Sequence, residues 1–141
     1  MRRRTERGST VVEFALVFPM IVLLVLGIIQ YAYQYWALET AAATAREAAR
    51  RLIVGTDPTC TVQVASQHAD FPNVGSTPPS VTYVVDNSTN TLERGALVTV
   101  TVRLQSLDIG ILPVPDGGRI VQSATNRVEN VPAEALDCVD N

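Results

Sequence analysis

Charge is sparse in this 141-residue chain, and histidine, tryptophan and cysteine are sparser still, with one, one and two copies. Charged residues make up 18% of the sequence, below the ~25% of ordinary soluble domains, while 47% is hydrophobic. That balance excludes a disordered tail. Lysine is absent; all 11 basic residues are arginines. The lone histidine, His68, has no cysteine or carboxylate at metal-ligand spacing and reads as a solvated loop residue. No serine or cysteine sits in a catalytic motif, and no glycine-rich loop precedes a helix. Catalysis, a cofactor and a metal therefore have no visible seat, and the length allows one ordinary domain at most.

What is present is segregated. Arg2, Arg3, Arg4 and Arg7 crowd the first seven positions, whereas Phe14 to Leu38 carries no charge. The run FALVFPMIVLLVLGII, Phe14 to Ile29, is followed by Gln30 and an aromatic cluster of Tyr31, Tyr33, Tyr35 and Trp36. A hydrocarbon core about 30 Å thick needs roughly 20 helical residues, so the segment has membrane length. A buried soluble helix would need partners on every face, and the rest of the chain is too small to supply them. The tyrosines and tryptophan fit an interfacial belt. Positions 39–141 hold seven arginines against twelve acidic residues, which places the N-terminus in the cytoplasm and the C-terminal region outside. The arginine cluster is explained by topology more simply than by nucleic acid. Cys60 and Cys138 then lie in an oxidising compartment, where a bridge between them would contribute about 4 kcal/mol on the chain-entropy model. A signal peptide is the competing reading, with release of a soluble domain near the aromatic belt. Its apolar core is usually shorter and ends in small residues.

Glu13 stands at the mouth of the apolar run. A carboxylate entering lipid is costly and usually has a partner, or stays hydrated at the headgroups. The string Arg7-Gly8-Ser9-Thr10-Val11-Val12-Glu13-Phe14 resembles the processing site of type IV pilin precursors. Together with the apolar helix and the following YWALETAAATAREAAR, it resembles the TadE-like proteins, pilin-like (pseudopilin) components of the tight adherence (Tad/Flp) pilus machinery. The resemblance covers about residues 7–51. It implies cleavage between Gly8 and Ser9 by a prepilin peptidase acting in trans, and roles in assembly for Glu13 and Phe14. The implied partners are other Tad pilins or pseudopilins, an inner-membrane assembly platform and the lipid bilayer, with no nucleic acid and no small-molecule substrate. Ser9 stands where pilins usually have phenylalanine, which leaves N-methylation unsupported. Cleavage would remove the leader arginines and create an α-amine at Ser9, mostly protonated at neutral pH. The Glu13 carboxylate of an incoming subunit could pair with that amine on the subunit ahead. A plain membrane-anchored binding module that keeps its leader is the other alternative.

Pro19 lacks an N–H and clashes with the carbonyl of Ala15, so a kink is expected there, with Gly27 a second weak point. Beyond the belt, Leu38 to Ile53 is alanine-rich and continues the helix. Leu38, Ala41, Ala42, Ala45, Ala49 and Leu52 gather on one face, suited to the protein's own sheet or to a neighbouring subunit. Gly55 stops the helix, and Asp57-Pro58 confirms the stop. Period-two patterning predicts strands at Thr61–Val64, Val81–Val85, Ala96–Leu104 and Arg119–Thr125. The loop Leu107–Pro115 keeps apolar residues without clean periodicity. The expected layout is a leader (1–8), a transmembrane helix (9–38), an amphipathic continuation (39–55) and an outward-facing β-rich head (56–141). The fold class is α+β: a long N-terminal helix packed on a small antiparallel sheet, the lollipop form that the pilin resemblance also implies.

Overall fold

The computed structural model describes residues 7–110, 112–131 and 138. Most of the expected leader, residues 1–6, lies outside the described residues. One helix, α1, runs unbroken from Arg7 to Ile53 through Pro19. Its 47 residues correspond to about 70 Å at 1.5 Å per residue. Gly55 follows with a φ of 90°, a left-handed turn that glycine adopts without steric cost. The last helical carbonyl, Ile53 O, accepts from the backbone N–H groups of Glu129 (3.1 Å) and Asn130 (2.9 Å), so the end of α1 is capped by the far end of the chain.

The expected strand at Thr61–Val64 is instead part of a second helix, α2, spanning Pro58–Asp70. Asp57 is its N-cap, accepting from the Cys60 N–H at 3.0 Å, and Pro58 occupies the first turn, where a missing N–H costs nothing. Thr61, Ala65 and Ala69 are buried four residues apart, the spacing of one helical face. Four residues of Thr-Val alternation fit either period, and the capping chemistry of Asp57-Pro58 settles it. His68, expected in a loop, lies exposed on α2.

The other three strands form as expected. β1 (Ser80–Val85), β2 (Leu97–Gln105) and β3 (Arg119–Arg127) make one antiparallel sheet in the order β1-β2-β3. Val98, Val100, Val102 and Leu104 of β2 face inward, and Thr99 and Thr101 face away; Thr99 shares a 2.8 Å hydroxyl hydrogen bond with its cross-strand partner Thr125. The inner face packs on α1, where Ala37, Ala41, Ala45 and Ala49 are all fully buried, with Leu52. The alanine face is thus covered by the protein's own sheet. A disulfide joins Cys60, in the first turn of α2, to Cys138, with the Cα atoms 5.2 Å apart.

Small side chains let the axis of α1 approach the sheet closely, so added volume there has nowhere to go. Ala45→Leu is expected to lower the stability of the head by about 1–3 kcal/mol. Thermal unfolding of the full chain in detergent checks this, and an unchanged midpoint would mean that the contact is loose.

Candidate functional site

The functional features all lie along α1, in three consecutive stretches. At its start, Gly8 and Ser9 belong to the first turn, and Glu13 follows Ser9 by four residues, about 6 Å along the axis. Glu13 is exposed, and so is Phe14, whose ring stacks on Phe18 with centroids 5.3 Å apart.

The second stretch is apolar on every side. Val11, Val12, Phe14 and the large residues from Leu16 to Val25 are all exposed, with Leu16 and Met20 open to about seven-tenths of their surface. A helix that is hydrophobic all round without protein around it requires an apolar solvent. Length and composition both suit a membrane span.

The third stretch is where the head takes hold, and it begins earlier than the aromatic belt suggested. Gly27, Gln30, Gln34, Ala37, Ala41, Thr44 and Ala48 are buried at alternating three- and four-residue spacing, one continuous stripe of the helix. At the lower end of the stripe the head's loop lies flush on α1. A β-carbon on Gly27 would come within 2.5 Å of Leu112 Cδ1, so the end of the Leu112 side chain rests in the space that a side chain at position 27 would take. Gln30 Nε2 donates to the Leu112 carbonyl (3.1 Å), and the Tyr31 hydroxyl donates to the Pro113 carbonyl (2.8 Å). On another side Tyr33 donates to the Pro72 carbonyl (3.0 Å), and Trp36 meets both Tyr33 and Phe71 edge-on. The exit of α2 is tied to the sheet in turn, since Asn73 Oδ1 accepts from the Gln105 N–H at 2.9 Å. Two of the belt tyrosines therefore also clasp the head. Sequence reasoning missed this role for Gln30, Tyr31, Tyr33, Phe71, Leu112 and Pro113; the one available signal was a glutamine ending a sixteen-residue apolar run.

The clasp is not fully satisfied. Gln30 Oε1, Gln34 Oε1 and Ser106 Oγ are buried without a hydrogen-bond partner among the described residues. Higher up, Glu47 accepts from Arg50 (3.0 Å) and Arg51 (2.9 Å). The hydrogen bond from Arg50, then that from Arg51, hold its carboxyl at about 2, well below the usual carboxylate range. These side chains are 38–67% exposed, so solvent screening leaves the fork only a modest stabiliser. Beside it an open groove of about 690 Å³ runs between α1 and α2, lined by Glu39, Ala43, His68 and Phe71 among others. Asp57, Cys60 and Cys138 bring three ligand-type atoms within 4.8 Å, but both sulfurs are consumed in the disulfide, so no thiolate pair is available to a metal.

A bare apolar rod continuous with a small α+β head defines a membrane-anchored protein. Residues 8–50 match the family described as TadE-like protein, so this stretch of α1 is similar to the helix of that family. The match begins at Gly8 and ends at Arg50, leaving the sheet outside it. No curated protein and no solved structure matches the chain.

Removing a buried acceptor that lacks a partner costs little, whereas removing a donor from a buried carbonyl costs more. Tyr33→Phe is expected to destabilise the docked head by about 0.5–1.5 kcal/mol, while Gln34→Met is neutral or stabilising. Thermal unfolding in detergent, followed by the fluorescence of Trp36, distinguishes the two; equal losses would contradict the assignment of the clasp.

Proposed function

We propose that this chain is a non-enzymatic minor pilin, or pseudopilin, of a Tad/Flp pilus. In this reading its N-terminus faces the cytoplasm, its head faces outward, and a prepilin peptidase cuts between Gly8 and Ser9. The observation that carries the proposal is the family match over residues 8–50, which starts at the glycine of the cut site and takes in Glu13 and the whole apolar stretch. The disulfide between Cys60 and Cys138 supports an oxidising location for the head.

The physics of maturation is a change of charge at one end of a rod. Cleavage strips the leader arginines and leaves an α-amine on Ser9, cationic at neutral pH. Glu13 of an incoming subunit pairs with that amine on the subunit already in place. In a low-dielectric setting such a pair gives register to apolar helices that would otherwise slide past one another. Phe14 packs beside the pair. Pro19 supplies the point where the helix gives as the platform lifts the subunit out of the membrane. The assembled subunits contribute to adhesion.

One experiment tests both halves. Intact-mass measurement of chain purified from membranes is expected to show a product beginning at Ser9 for wild type and for Glu13→Gln alike. Sheared filament fractions are expected to contain the wild type and to be depleted of the Glu13→Gln variant by about tenfold, the effect of ~1.4 kcal/mol. A chain that keeps its arginines contradicts processing, and one that begins near Ala32 identifies a secreted domain. Equal assembly of the two variants contradicts the pairing role alone.

A further inference from the structure

The geometry points to a second lipid contact: the head's loop residues Ile109, Gly110 and Leu112 to Pro115 are immersed in the bilayer leaflet on the head's side, with Phe71 resting above them at the headgroups. The inference rests on the membrane-anchored reading of α1 and on no part of processing or assembly.

The argument is one of depth. Hydrocarbon begins no earlier than Phe14 if Glu13 stays among the headgroups, and about 20 residues of helix cross it, to the level of Tyr33. Leu112 is pinned against Gly27, and its carbonyl is held by Gln30. Those positions lie six and three residues short of Tyr33, or about 9 and 5 Å inside the hydrocarbon boundary. Lifting the loop clear of lipid would require α1 to slide toward the head's side until Gly27 reached the boundary. Glu13 would then be drawn about 9 Å into hydrocarbon, where a carboxylate is costly. Immersing the loop is the cheaper solution if the loop itself tolerates lipid.

Its chemistry says that it does. Ile109-Gly110-Ile111-Leu112-Pro113-Val114-Pro115 carries no charge, and Asp108 and Asp116 bracket it. Backbone in hydrocarbon must have its polar groups satisfied. The carbonyls of Leu112 and Pro113 accept from Gln30 and Tyr31, and the Gly110 N–H donates to Asp108 Oδ1 at 2.9 Å. Pro113 and Pro115 have no N–H to satisfy. Ile109 stands 41% exposed, and Phe71, at the level of Tyr33 and Trp36, stands 80% exposed. The interfacial belt is thus completed from the head.

Tryptophan probes in the full chain test this, each in a Trp36→Phe background and reconstituted in phosphatidylcholine–phosphatidylglycerol vesicles. A fraction of the phosphatidylcholine is brominated high on its acyl chain. Ile109→Trp is expected to lose at least half its emission relative to unbrominated vesicles. Phe71→Trp, which keeps an aromatic ring at the clasp, loses a smaller share, and Val121→Trp on the outer face of β3 loses none. Leu24→Trp, quenched by lipid brominated near the chain end, reports the span itself. If Leu24→Trp is quenched while Ile109→Trp and Phe71→Trp match Val121→Trp, the helix spans but the loop stays out of lipid, and the inference is overturned. If Leu24→Trp is also unquenched, the membrane reading fails and takes the inference with it. Should Ile109→Trp not fold, quenching of Phe71→Trp above the Val121→Trp level supports the inference, and equality with it overturns it.

Discussion

A run of buried alanines on α1, from Ala37 to Ala49, lets the helix axis come close to the inner face of the sheet, and the rest of the head takes its position from that contact. Alanine is both the best helix former and the side chain that leaves most room, so one composition serves helix stability and close packing together. The sheet contributes its complement in Val98, Val100 and Val102. Glycine at position 27 extends the same logic one step further, to a point where even a methyl group would crowd Leu112. Below Gly27 the large apolar side chains of the rod stand exposed among the described residues, and its solvent must change.

That shared rod explains what the sequence made legible and what it hid. The membrane-length run, the helical continuation, its stop at Gly55 and the three strands were all readable, because each rests on local periodicity or on a single residue with a strong conformational preference. α2 was misread because Thr61-Val62-Gln63-Val64 is too short to distinguish a period of two from one of 3.6, and Asp57-Pro58 was taken only as the end of one helix when it also begins another. The clasp was unreadable for a different reason. Gln30 and Leu112 are 82 residues apart, and nothing in local patterning announces which loop carbonyl a glutamine will reach. The belt aromatics were placed for their affinity for interfaces, whereas Tyr31 and Tyr33 also spend their hydroxyls on the head.

The two ends of α1 therefore answer to different constraints. The end of α1 around Glu13 stands exposed and away from the head, while the Gly27–Leu52 end holds its head through packing, three side-chain hydrogen bonds and a disulfide that ties the C-terminal segment to α2.

The dependence of the head on helix register is open to direct measurement. One inserted alanine rotates everything on its N-terminal side by about 100° relative to the head. Placed after Leu23, it moves only the lipid-facing stretch; placed after Tyr33, it swings Gly27, Gln30, Tyr31 and Tyr33 off the clasp while leaving Ala37 to Leu52 in place. Thermal midpoints in detergent, followed through Trp36, are expected to be unchanged for the first insertion and lowered by about 5 °C or more for the second. Equal midpoints for the two would contradict the claim that one stripe of α1 organises the molecule.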